Sequence, residues 1–265
     1  MKNVTFSEKR DIEAVISSGV VTQDSVVSVI SSIAKYNYSV LDMNDEENCT
    51  YIKNWLAAHY AHYVETELHS VIKQKVEAAH VYKLLESGDL LVYQRELDVI
   101  SSVGDIRVEK VLFALLCIAK LQKNTLGYRN GKYKFALTNI FKLARVHIPS
   151  TERNKFMHEL LAKGFISAPF KVDDEQRYIT YMSDNDDEDV IIKVNETDFY
   201  ELAYVYEGWK NGGSGFVRCE SCGRLIKRSK TKPRKYCEDC AKNTTKENWR
   251  EASQRYRDSK KDKSS

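Results

Sequence analysis

The chain has 265 residues, 42% of them hydrophobic and 30% charged, with only 11 Gly and 3 Pro. That composition excludes a disordered or fibrous chain and argues against a loop-rich all-β fold. The net charge is +3, and the longest wholly apolar run, 111–119, falls far short of the roughly 20 residues that cross a bilayer.

The first ten residues have no apolar core and no small-residue cleavage site, so no secretory signal is read and the cytoplasm is the expected compartment. Residues 1–100 read as a helical domain. Apolar residues recur at helical spacing over 11–16 and 25–38, separated by Gly19, and Val26, Val29, Ile30 and Ile33 share one face. A second helical region, 46–86, carries Ile52, Trp55, Leu56, Val64, Leu68, Val71, Ile72 and Val76 and is expected to break once. His59 and His62 lie three apart, a spacing that can put two metal ligands on one helical face. No carboxylate completes a ligand set, so ordinary histidines among tyrosines are the simpler reading. Gly88 punctuates the chain, and 90–93 reads as a short strand.

Residues 105–210 form a second expected domain. Segment 108–122 is a strongly apolar helix that contains Cys117 as a small hydrophobe. A glycine turn at 127–131 leads to a short strand over 133–137. Thr138 can cap a helix over 139–145, and Pro149 pre-sets the start of the next. Ser150 or Thr151 can cap that helix, which ends at Lys163 with Gly164 as its C-cap. Segments 165–170 and 177–181 alternate like two strands around the polar turn 173–176.

Helix, strand, helix, tight turn, helix and hairpin is the order of a winged helix-turn-helix domain. In helix-turn-helix domains the second helix of the motif lies in the DNA major groove. Here that helix, 150–163, turns Phe156, Met157, Leu160 and Leu161 inward. Its other side offers Thr151, Arg153, Asn154, Lys155 and His158, of which Arg, Lys and Asn suit phosphates or base edges. Many winged helices are instead protein-interaction modules, and Asp173, Asp174 and Glu175 at the wing tip would repel phosphate. Segment 173–189 holds eight acidic residues and one Arg. Its 184–189 part lacks the Gly and Glu spacing of a calcium loop. A strand over 190–194 and a helix to Lys210, capped by Thr197 or Asp198, complete this domain.

Residues 211–216, rich in Gly, read as a linker to a last module over 217–265. Cys219 and Cys222, then Cys237 and Cys240, have the spacing of a four-cysteine zinc site. Gly223 lets the backbone turn under the metal, and four thiolates leave no open position, so one Zn²⁺ would be structural. A disulfide pair suits a reducing cytoplasm poorly, and an iron–sulfur cluster usually has another spacing. From Arg218 onward there are 16 Lys and Arg against 7 Asp and Glu, a net of +9 set against −6 for the rest. A metallated site lowers the tail to about +7. Such asymmetry points to a polyanion, with a solvated tail as the plain alternative. The candidate cations are Arg224, Lys227, Arg228, Lys230, Lys232, Arg234, Lys235, Arg250, Arg255 and Arg257. Thr244 and Glu247 have the spacing of a capping box that starts a basic helix, with Trp249 docking it on the ribbon.

Three features resemble a loosely defined group of uncharacterised bacterial proteins of phages and mobile elements. They are the helical N-terminal region, segments 111–120 with 139–145, and the cysteine segments 219–223 with 235–240. The resemblance implies a mobile-element origin and no assigned activity.

The expected class is therefore mainly α (α+β): a helical N-terminal region, a winged helix-turn-helix, and a C-terminal four-cysteine zinc ribbon followed by a basic helix. The expected function is binding of nucleic acid, double-stranded DNA first. A docking module for host transcription or defence machinery and an RNA-binding protein are the alternatives. No phosphate-binding Gly loop, nucleophile elbow or open metal site points to an enzyme, although scattered carboxylates can assemble a nuclease site in three dimensions. No membrane partner is expected.

Overall fold

A computed structural model describes residues 6–81, 84–128, 131–134, 136–167, 177–183, 189–229, 233–245, 249–250 and 253. It is mainly helical with small antiparallel sheets. Two compact units emerge, one of residues 1–88 with 124–127, the other of 89–123 with 128–265. The first boundary therefore precedes the strand at 90–93, where the sequence suggested one near 100.

The first unit is built from α1 (Glu8–Ser18), α2 (Val26–Ser39), α3 (Asp45–His59) and α4 (Glu65–Ala79). The expected break in the second helical region falls between His59 and Glu65. Each boundary has a local cause. Ser7 caps α1 by accepting from the Arg10 amide, and Gly19 ends it in the left-handed region at φ 64°. Asn44 and Glu47 form a capping box at the start of α3. Ile30, Ile33, Ile52, Leu56 and Ile72 are fully buried at the unit's centre. Two amides share that core. Asn37 Nδ2 donates to Asn48 Oδ1 at 2.9 Å, and Asn48 Nδ2 donates to the Ala34 carbonyl at 2.9 Å.

The second unit is organised around α6 (Ile106–Leu126), whose residues 111–119 are all 0% exposed. A helix apolar on every side is a central helix, and the other elements cover it. β1 (Leu90–Tyr93) pairs antiparallel with β5 (Val190–Val194), Leu90 opposite Val194. Between them in sequence come α5 (Gln94–Ser101), β2 (Lys132–Tyr133), α7 (Leu137–Leu143), α8 (Ser150–Ala162), β3 (Ile166–Ser167) and β4 (Arg177–Ile179). A three-stranded sheet has the order β2-β4-β3, antiparallel throughout. Gln122 fixes its edge, accepting from the Lys134 amide at 2.8 Å and donating to the Lys134 carbonyl at 3.0 Å.

Gly131 makes the entry to β2 possible. It sits at φ 68°, and a Cβ there would lie 2.7 Å from the Ile179 carbonyl oxygen. Gly131→Ala is expected to lower stability by more than the roughly 1–2 kcal/mol of the left-handed conformation alone, read as a lower denaturant midpoint with an unchanged m-value.

Several caps differ from expectation. Ala136, with no side-chain hydrogen bond, precedes α7, which starts before Thr138. Pro149 precedes α8, so neither Ser150 nor Thr151 is its cap; the fixed φ of Pro already suits the helix entry. Asn195, not Thr197 or Asp198, caps α9 (Glu196–Phe199) by accepting from the Asp198 amide, and α10 (Leu202–Lys210) follows after a break. Thr244 lies inside a helical stretch, 238–245, and its hydroxyl donates back to the Cys240 carbonyl at 2.9 Å. It therefore opens no helix. Glu247, Lys230, Lys232, Arg255, Arg257, the wing-tip residues 173–176 and the acidic segment 184–188 lie outside the described residues.

Candidate metal centre and nucleic-acid interface

Two short strands, β6 (Phe216–Arg218) and β7 (Leu225–Lys227), form a hairpin with Val217 opposite Ile226. It carries Cys219 and Cys222 at its tip. Gly223, at φ 71°, closes the turn by donating its amide to the Cys219 carbonyl at 2.9 Å. The second cysteine pair begins the helical stretch 238–245. The four sulfurs of Cys219, Cys222, Cys237 and Cys240 lie within 4.8 Å of one another, and those of Cys222 and Cys237 are 3.7 Å apart. A tetrahedral zinc with Zn–S near 2.3 Å requires sulfur pairs about 3.8 Å apart. The donor set therefore fits a four-thiolate metal ion.

The backbone is arranged for thiolates. The Cys237 amide donates to Cys219 Sγ at 3.2 Å, and the Cys240 amide donates to Cys237 Sγ at 3.4 Å. Burial raises the Cys219 thiol, yet amides of Cys237, Cys222 and Ser221 outweigh it and bring it down to about 6. At Cys240 the Ser221 hydroxyl favours the thiolate, but the sulfurs of Cys237, Cys222 and Cys219 push the group up to about 12. Amide donors favour thiolate at this cluster while neighbouring sulfurs oppose one another's ionisation, and a bound dication would relieve that opposition. Among the described residues no other group of His, Cys, Asp or Glu is placed to hold a metal. His59 instead packs beside Trp55, and His62 beside Tyr60, in aromatic contacts. Cys117 is fully buried, which raises its thiol strongly.

The segment read as a linker, 211–216, is a compact turn. The Gly213 amide donates to the Gly208 carbonyl, Phe216 begins β6 and contacts the Tyr204 ring, and the Arg228 amide donates to the Gly215 carbonyl. The cysteine-bearing hairpin is tied to the corner between α9 and α10 by two arginines that flank Cys219 and Cys222. Arg218 binds Asp198 with both guanidinium nitrogens, at 2.8 and 3.0 Å, and also donates to the Gly223 carbonyl at 3.0 Å. Arg224 Nη1 donates to Asp239 at 3.0 Å, and its Nε lies 3.7 Å from Glu201. Asp198 and Glu201 are 3% and 4% exposed, so each is a buried carboxylate that needs its arginine.

Glu201 also accepts from Arg145, at 2.5 Å. Arg145 ends α7 in the left-handed region at φ 49°, with the Val146 amide donating to the Phe141 carbonyl. Glycine ordinarily fills that position, and a left-handed arginine costs about 1–2 kcal/mol. Here its guanidinium is held by Glu201 and stacked over the Tyr204 ring at 4.2 Å.

On α8, Thr151, Asn154, Lys155 and His158 are exposed, whereas Met157 and Leu160 are buried. Arg153 differs from expectation. Its Nε donates to the Ile148 carbonyl at 3.1 Å and its Nη1 to the Thr138 hydroxyl at 2.9 Å, so it fastens α8 to α7. Around and after the cysteine cluster, Lys227, Arg228, Arg234, Lys235 and Arg250 are exposed. Lys235 lies 3.5 Å from Glu220, and Arg224 is engaged internally as described. Trp249 is 72% exposed, not docked as the sequence suggested. Sequence reasoning missed Arg145, Asp198, Glu201 and Arg218. The available signal was two acidic residues three apart in an otherwise apolar, aromatic segment, opposite arginines bracketing a cysteine knuckle.

Among the described residues no helix is long and apolar enough to cross a membrane. Comparison with protein-family models, with curated proteins and with solved structures finds no match.

Proposed function

We propose that this protein binds nucleic acid, double-stranded DNA first, through a winged helix-turn-helix whose second helix is α8, assisted by a zinc ribbon. The observation that carries the reading is the order α6, β2, α7, α8, β3, β4 with sheet order β2-β4-β3. That order leaves one face of α8 free with Thr151, Asn154, Lys155 and His158 exposed. These are side chains suited to phosphates and base edges. The zinc is structural, since four thiolates close its coordination shell. Lys227, Arg228, Arg234, Lys235 and Arg250 supply phosphate contacts beyond α8. Arg153 and Arg224 act through their internal bonds and not as contacts to the ligand.

The test is fluorescence anisotropy of the full chain, zinc present, with random-sequence duplex DNA across a salt series. Binding is expected to weaken steeply with salt, because each neutralised phosphate releases counterions. Lys155→Ala and Lys227→Ala are each expected to reduce the log–log salt slope by about one. Arg153→Ala is expected to lower stability first. Absence of binding at low salt overturns the reading in favour of a protein-docking module. Preferential displacement by single-stranded RNA reassigns the ligand to RNA.

A further inference from the structure

The turn between α7 and α8 and the four-cysteine site share one side chain. One oxygen of Glu201 holds Arg145, the left-handed residue that opens the turn, and the other faces Arg224. Arg224 follows the Cys222–Gly223 knuckle and reaches Asp239, which lies between Cys237 and Cys240. The carboxylate is 4% exposed, so it has no water-filled surroundings to fall back on if an arginine leaves. Glycine would satisfy the backbone at 145 without any partner. Arginine there carries a backbone cost, which its contacts with Glu201 and Tyr204 offset.

We propose that Glu201 couples metal occupancy of the four-cysteine site to the α7–α8 turn, so that loading the metal sets how firmly α8 is presented. This rests on the metal-binding reading above. With metal bound, both knuckles are fixed, Arg224 stays between Asp239 and Glu201, and the carboxylate is oriented toward Arg145. Without metal the knuckles lose their common anchor and Glu201 keeps only one arginine, already strained. The coupling is reciprocal: a ligand that grips α8 tightens metal binding by the factor by which metal tightens the ligand.

The experiment is backbone hydrogen exchange of the full chain, zinc-loaded and then stripped with excess chelator, with zinc content measured on each sample. Peptides spanning 141–150 are expected to exchange about 5–150-fold faster after stripping, the usual range of coupling between sites. Peptides from α2, in the other unit, serve as the control and should not change. Arg145→Gly removes the tie while suiting the backbone. It should still bind one zinc, but stripping should change exchange in 141–150 by less than about twofold. Glu201→Gln should behave the same way.

A wild-type chain that binds zinc yet shows no change in 141–150 on stripping overturns the coupling and leaves the metal reading intact. A chain that takes up no zinc removes both. A full-sized response that persists in Arg145→Gly also overturns the route through Glu201.

Discussion

Cys237→Ser is expected to remove metal from the four-cysteine cluster and to unfold the segment that carries it. Cys237 is buried, and its sulfur and amide both belong to the cysteine cluster. Among the described residues the segment's buried cluster is Ile226 with Cys219 and Cys237, flanked by Val217, Tyr236 and Cys240. So small a core cannot offset the chain entropy of that segment. Structural zinc sites in small fingers contribute roughly 10–16 kcal/mol of apparent binding free energy near neutral pH, which here would be folding free energy. The loss extends further, because Asp198 would then be buried without Arg218, and Glu201 would lose Arg224 and keep only Arg145. A buried group left unsatisfied costs about 1–3 kcal/mol. A loss of about 2 kcal/mol lowers the melting temperature of a domain this size by roughly 4–8 °C. Metal content after dialysis and a melting curve check both parts. Wild-type metal content, or an unchanged melting temperature, contradicts them. The same reasoning makes truncation before the cysteine segment a poor control, since it would strip Asp198 of Arg218 and Glu201 of Arg224.

Lys120→Ala is expected to cost the second unit about 3–5 kcal/mol. Lys120 Nζ lies 2.9 Å from Glu96 Oε1 and 4.5 Å from the centre of the Tyr93 ring. The Glu96 side chain is fully buried and that of Lys120 is 8% exposed. Glu96 also accepts from the Tyr93 amide at 3.0 Å and the Ser183 amide at 2.8 Å. It therefore joins the start of α5 to the segment that follows β4. Removing the lysine leaves a carboxylate that water cannot reach. Lys120→Met with Glu96→Gln should recover part of the loss, because no charge stays unpaired, while the single amide oxygen can accept from only one of the Tyr93 and Ser183 amides that the two carboxylate oxygens serve. Chemical denaturation of the two variants beside wild type separates these cases. Equal loss in both would mean that packing, not charge, dominates at this site.

Much of the fold was legible where the signal is periodic. Val26, Val29, Ile30 and Ile33 announced the buried face of α2, and 190–194 was read as the strand it forms. The four cysteines were legible because ligand spacing is local. What escaped was set by partners far along the chain. Nothing near Leu90 reveals that it pairs with Val194. Arg153 and Arg224 looked like free cations, since a sequence does not say which arginine has a carboxylate or carbonyl opposite it. Caps failed for a related reason: Thr138 suits a cap by type, but its hydroxyl serves Arg153 instead.

The amide pair of Asn37 and Asn48 acts as an indexing pin for the four-helix unit. Leucine or isoleucine side chains can mesh in more than one rotation or axial offset of α2 against α3, but only one alignment lets Asn37 meet Asn48 and Asn48 meet the Ala34 carbonyl. The pin sacrifices some stability, since Asn37 Oδ1 finds no partner of its own among the described residues. In return, mis-threaded packings of the same helices are penalised by stranded amides. The unit should therefore tolerate volume-conserving exchanges among its isoleucines better than it tolerates the loss of either asparagine alone.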